Sequence, residues 1–216
     1  MGCADDGLSS TMVEQGPVRT GLQSHWIRRA VSATALVVGS LSLPLSGQPP
    51  PAAREVPGES VPNYRVIWEG KLTRSGQPRD EGWTWLRGQG VRSIVNFRSE
   101  EDDDYHGVRF EHTLWLPITK KNLPTDRDAE EFLTFVRDSR HWPVHIHCEK
   151  GRDRSGLMTA LVRYAIDGWP LDRALAEART YRDGKDLARN YVAWLRRWSA
   201  GHTPGSHRLE LPAHPN

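Results

Sequence analysis

The sequence has almost no cysteine: two in 216 residues, Cys3 and Cys148. Two thiols cannot build a disulfide scaffold, so the fold must rest on a hydrophobic core. A strong charge of either sign is also missing, since 29 Lys and Arg against 27 Asp and Glu leave a formal net charge of +2. That near balance gives no reason to expect a nucleic-acid partner. Long apolar runs are absent as well. The stretch Ala30–Leu45 is uncharged but has only 16 residues and contains Pro44, short of the roughly 20 that a membrane-spanning helix needs. A polytopic membrane protein is therefore excluded. What is abundant is tryptophan, with nine residues; so many indoles need a core and argue against wholesale disorder.

The first part of the chain is organised by charge and proline. Arg28-Arg29 precede the apolar run, and Ser46-Gly47-Gln48 and Pro49–Pro51 follow it. A basic flank, a short apolar segment and small residues resemble an export signal. Residues 1–47 are read as an export signal or signal anchor, placing the protein in the periplasm or cell envelope, with membrane association through residues 30–45 if the segment is retained. Residues 48–61 read as a proline-rich linker. The folded domain is expected over 62–199, and 200–216 as a flexible tail with His202, His207 and His214 in solvent.

Inside the domain, strands and helices alternate. The runs Arg65–Trp68, Val91–Phe97, Leu114–Leu116 and Val144–His147 predict strands. The segments Asp80–Arg87, Asp126–Arg137, Ser155–Ile166, Leu171–Thr180 and Asn190–Trp198 carry helical periodicity. This alternation predicts an α/β fold, a single mostly parallel central sheet flanked by helices.

The chemistry is concentrated in His147-Cys148-Glu149-Lys150-Gly151-Arg152-Asp153-Arg154-Ser155-Gly156, between an apolar strand and an apolar helix. The N-terminus of a helix has backbone N–H groups without intrahelical partners, and a tight loop can converge them on one anion. Gly151 allows a backbone shape or a close approach that a side chain would block. Arg154, six positions after Cys148, can grip two oxygens of a tetrahedral anion. The same groups would stabilise a Cys148 thiolate, so nucleophile and phosphate cradle come from one loop.

Cys148-x5-Arg154 with His147 before it and Ser155 after it resembles the signature loop of cysteine-dependent protein tyrosine and dual-specificity phosphatases. Arg74-Ser75-Gly76-Gln77-Pro78 and Ile94-Val95-Asn96-Phe97-Arg98 extend the likeness to the compact atypical members, exported bacterial ones included. The resemblance implies the phosphatase fold and hydrolysis of phosphomonoesters, phosphotyrosine in proteins first. It assigns Cys148 as the nucleophile that forms a phosphocysteine, and Arg154 as the clamp on the phosphoryl oxygens. Ser155 would hydrogen-bond the departing thiolate, and the backbone of Glu149, Lys150, Gly151, Arg152, Asp153 and Arg154 would bind the phosphate. His147 would orient the loop. No metal or other cofactor is implied, and the partner is a phosphorylated protein or a small phosphorylated substrate.

The family's general acid comes from a loop upstream of the cysteine. Here Lys120 and Lys121 stand where relatives most often carry aspartate. Asp126 is the first candidate and Asp128 the second, against Thr125 as an N-cap with acids in the first turn of a helix. Among the other residues, His145 and His147 read as satisfied strand histidines rather than metal ligands. The acidic run Glu100–Asp104 reads as a solvated loop. Lys120, Lys121, Lys150 and Arg152 form a basic rim suited to a substrate with several phosphates, such as an inositol phosphate. A silent phosphate-binding module and a rhodanese-like sulfur transferase are the readings from other classes; Arg154-Ser155-Gly156 fits phosphatases better than the latter.

Overall fold

The computed structural model describes residues 58–102 and 104–209; the expected export segment and most of the linker lie outside them. Strands β1 (Arg65–Trp68), β2 (Leu72–Ser75), β3 (Ser93–Asn96), β4 (His112–Trp115) and β5 (Val144–His147) form one sheet in the order β1-β2-β5-β3-β4. β1 and β2 are an antiparallel hairpin and the other three pairings are parallel, so the expected mostly parallel sheet is present. Its helices are α1 (Asp80–Gly88), α2 (Asp126–Arg137), α3 (Arg154–Ala165), α4 (Leu171–Thr180) and α5 (Arg189–Ala200).

Strand β2 is absent from the sequence reading, and its composition explains why. Leu-Thr-Arg-Ser shows no apolar alternation, yet all four residues are buried. The strand forms beside β5, where His145 gives Thr73 and Ser75 a partner.

Alternation along β3 divides the core. Ile94 packs with Val61, Trp83, Leu86 and Val91 under α1. Val95 points the other way, into the larger cluster with Phe132 and Leu133 of α2, Leu157 and Leu161 of α3, and Trp194 of α5. Helix α3 is buried nearly all round, as befits a helix covered by both sheet and helices. Emptying one of its sites is costly: truncating a fully buried Leu such as Leu161 to Ala removes about 2–5 kcal/mol.

The segment after α5 departs from expectation. Through residue 209 it is folded onto α3 rather than free. Gly205 N and His207 N donate to the carbonyls of Tyr164 and Ala165, each at 2.8 Å, and so satisfy acceptors that the end of a helix leaves open. His202 stacks on Trp198 with ring centroids 3.8 Å apart, and His207 Nε2 lies 2.9 Å from Glu130. Neither histidine is solvated as a tail residue would be. His214 falls outside the described residues.

A polar layer joins β2 to β5. His145 Nε2 lies 2.8 Å from Ser75 Oγ and Nδ1 2.9 Å from Thr73 Oγ1. Ser75 donates its own proton to the Gly76 carbonyl, so it accepts from Nε2–H, and both ring nitrogens have a hydroxyl partner. Burial, with like charge from His147 and Arg74, holds its pKa well below the ordinary histidine range. An unfolded His145 titrates near 6.5, so the unfolded chain takes up more protons and the native state loses stability as pH falls through that value. The melting temperature should therefore drop between pH 7 and pH 5. His145→Gln should lower it at pH 7 and flatten that dependence; an unchanged slope would place the acid lability elsewhere.

Candidate active site

The loop 148–153 joins the C-terminal end of β5 to the N-terminus of α3, with the Cys148 thiol only 2% exposed. The loop is pressed against residues 75–77. A Cβ on Gly151, whose φ is +62°, would sit 2.6 Å from the Ser75 carbonyl carbon. A Cβ on Gly76 would sit 2.9 Å from the Lys150 carbonyl carbon. Only glycine fits on either side of this crossing. Gln77 N donates to Glu149 O at 2.9 Å across it.

The N-terminus of α3 is kept open. Asp153 stands at the N-cap, but its side chain makes no capping hydrogen bond. Arg182 draws the carboxylate away, with Nε 3.1 Å from Oδ1. The first N–H groups of the helix are left for an anion.

A cleft of about 410 Å³ opens over this loop, lined by Cys148, Glu149, Lys150, Asp153 and Arg154, with Ser99, Ile118, Thr119, Lys120 and Tyr191 around them. Arg154 reaches across it. Nη1 donates to Phe97 O and Nη2 to Glu149 Oε2, each at 3.3 Å. Both bonds are long, so the fork can exchange them for phosphoryl oxygens. Ser155 is buried, with Oγ donating to Ser75 O at 3.2 Å. Gly151 and Arg152 do not line this cleft. Arg152 faces a second one of about 600 Å³ with Arg65, Arg79 and Lys150, and pairs with Asp183 at 3.4 Å.

Asp126 is not brought to the cysteine. The Thr119 hydroxyl accepts from Asn122 N at 2.8 Å and turns the upstream loop so that Lys120 meets the cleft. Thr125 then caps α2, and Asp126 points out as an exposed first-turn residue. Asp128 is engaged in the capping box, accepting from Thr125 N at 2.7 Å. The carboxylates lining the cleft are Glu149 and Asp153, each already paired with an arginine.

The acidic run is likewise not simply solvated. Asp102, 6% exposed at its side chain, sits with Oδ2 3.0 Å from His147 Nε2, the N–H poorly aligned on the oxygen. Gln77 Nε2 donates to the other oxygen at 3.1 Å. Burial would raise the Asp102 pKa, but His147, Gln77 and Arg98 outweigh it and hold the carboxyl below its usual range. Burial lowers the His147 pKa in spite of Asp102. The histidine before the nucleophile is a fully buried ring held beside a carboxylate. Nothing in the spacing of the acidic run singles out Asp102, because its partners lie 25 and 45 positions away.

The comparisons with known proteins agree with this geometry. The family described as DSP-PTPase phosphatase fused to NAD+ kinase matches residues 62–193. The dual specificity protein phosphatase TpbA of Pseudomonas aeruginosa strain UCBPP-PA14 is 30% identical over 183 residues, covering 79% of this chain and 80% of its own. Inositol diphosphatase DSP3 of Arabidopsis thaliana is 26% identical over 124 residues, covering 53% of this chain and 60% of its own. The crystal structure of P. aeruginosa TpbA superposes with a TM-score of 0.56 at 26% identity, covering 64% of this chain and 86% of that one. The core of the PP-IP phosphatase SIW14 of S. cerevisiae shares the fold at a TM-score of 0.54 and 19% identity, covering 63% and 85%. A thiol at the foot of an anion-binding loop, an arginine across its mouth and a family match over residues 62–193 lead to one conclusion: the chain belongs to the DSP-PTPase family of cysteine-dependent dual-specificity and tyrosine phosphatases.

Proposed function

We propose that this phosphatase acts first on phosphotyrosine in proteins, with Cys148 as nucleophile. The observation that carries the reading is the position of Cys148 at the floor of a cleft whose other end is spanned by Arg154. Cys148 Sγ attacks phosphorus and the phenolate leaves. The backbone N–H groups of the loop and Arg154 hold the phosphoryl oxygens and stabilise their transition-state charge. Water then attacks the phosphocysteine and releases inorganic phosphate, while Ser155, turning from Ser75 O, would receive the departing thiolate. The walls formed by Ile118 and Tyr191 suit an aromatic ring. TpbA, a relative of this chain, has been crystallised in complex with pTyr.

Among the described residues, neither Asp126 nor Asp128 lines the cleft, and Asp153, which does, is paired with Arg182. Aryl leaving groups need less protonation than alkyl ones, so this favours phosphotyrosine over phosphoserine. The second cleft, with Arg65, Arg79, Lys150 and Arg152, favours a second substrate class, inositol phosphates carrying several phosphates. Turnover on phosphotyrosyl peptides against inositol polyphosphates separates the two. Export is inferred from Arg28-Arg29 and the apolar run that follows. Residues 1–60 fused to a reporter that is active only outside the cytoplasm should yield signal, and silence would refute export.

Two predictions follow from the site. Wild type should release phosphate from a phosphotyrosyl peptide, Cys148→Ser should release none, and Arg154→Ala should be slower by roughly 100- to 1000-fold. Equal release by all three would remove the loop from the chemistry. Asp126→Asn should change turnover of alkyl and aryl phosphates alike, because Asp126 stands outside the cleft. A loss confined to the alkyl ester would make it the general acid after all.

A further inference from the structure

Arg74 lies behind the loop, not in the cleft, and it is fully buried. Its Cζ stacks 3.8 Å from the Tyr181 ring centroid, and Nη2 donates to the Gly151 carbonyl. Nε and Nη1 have no hydrogen-bond partner. Among the described residues no carboxylate pairs with it, so no acid there compensates the charge. An apolar side chain of similar volume would serve stability better than a buried cation with two unsatisfied donors. Stability alone does not explain the residue.

A second donor converges on the same acceptor. Asn63 Nδ2 donates to Gly151 O at 2.6 Å and to Tyr181 O at 3.0 Å. Two donors on one carbonyl fix its direction, towards Tyr181 and away from the cleft. In a planar trans peptide the N–H points opposite to the C=O, so the Arg152 N–H is turned to the other side of the loop. We propose that Arg74 is a positioning residue for the phosphate loop: with Asn63 it locks the Gly151–Arg152 peptide so that the Arg152 N–H faces the bound phosphoryl group. The inference rests on the phosphatase reading, but it concerns how the loop is shaped before any substrate arrives.

Burial lowers the Arg74 pKa to about 10, while Tyr181 and Cys148 oppose that fall and Arg65 adds to it, so Arg74 remains a cation at neutral pH.

The test uses the full chain with Arg74→Met, Arg74→Lys and Asn63→Gly, the last keeping a residue suited to the φ of +57° at position 63. Affinity for inorganic phosphate is read from protection of Cys148 against iodoacetamide, and stability from thermal melting. Arg74→Met should bind phosphate about tenfold more weakly. Arg74→Lys should not restore the affinity. Asn63→Gly should weaken phosphate binding as well. An Arg74→Met protein that melts cooperatively and keeps its affinity would make Arg74 a packing residue and overturn the proposal. Should that variant not fold, unchanged phosphate affinity in Asn63→Gly overturns it instead. Wild type that binds phosphate yet releases none from a phosphotyrosyl peptide would count against the phosphatase reading, not against Arg74.

Discussion

The close approach of two backbones, Gly76 on one side and Gly151 on the other, is the constraint on which the site depends. Neither position has room for a Cβ. Because the chains touch, the hydrogen bond from Gln77 N to Glu149 O can form, and Arg74 and Asn63 can reach the carbonyl of Gly151. The loop is thereby shaped by β2 and its flanks rather than by its own sequence. A single turn of backbone between a strand and a helix would otherwise be free to adopt several conformations. Fixing it beforehand means that binding does not have to order it.

The same contact explains the polar interior. β2 has to run beside β5 for the crossing to exist, and a strand made of Leu, Thr, Arg and Ser needs polar partners there. His145 takes up Thr73 and Ser75 on one face, and Arg74 is taken up by Gly151 and Tyr181 on the other. Histidines on β5 serve different ends. His145 is a structural bridge, while His147, next to the nucleophile, is held beside Asp102. Burial lowers the pKa of both rings through desolvation.

The loop was legible because its information is local. Cysteine, glycine and arginine at fixed spacing between an apolar strand and an apolar helix describe an anion site before any fold is known. The parallel sheet was legible for a similar reason, since strand and helix periods alternate in order. What escaped was set by distant partners. β2 lacks an apolar pattern and is recognisable only once β5 and His145 are beside it. Asp102 looks like any other acid in a charged run until the fold brings His147 to it. Asp126 looked available because it is the carboxylate nearest to Lys120 and Lys121 in the upstream loop, but after the turn at Thr119 and the cap at Thr125 it lies exposed in the first turn of α2. The segment after α5 looked like a tail because its contacts, to the carbonyls of Tyr164 and Ala165, are made with a helix some forty positions earlier.

A covalent intermediate on one thiol is the centre of this account. It is tested most directly by mixing the protein with a phosphotyrosyl substrate, quenching within the first turnover and locating the phosphoryl group by peptide mass spectrometry. The account predicts a thiophosphate on the peptide that contains Cys148, which forms and decays at rates compatible with turnover. Steady release of phosphate with no adduct on Cys148, or with an adduct on another residue, would contradict it.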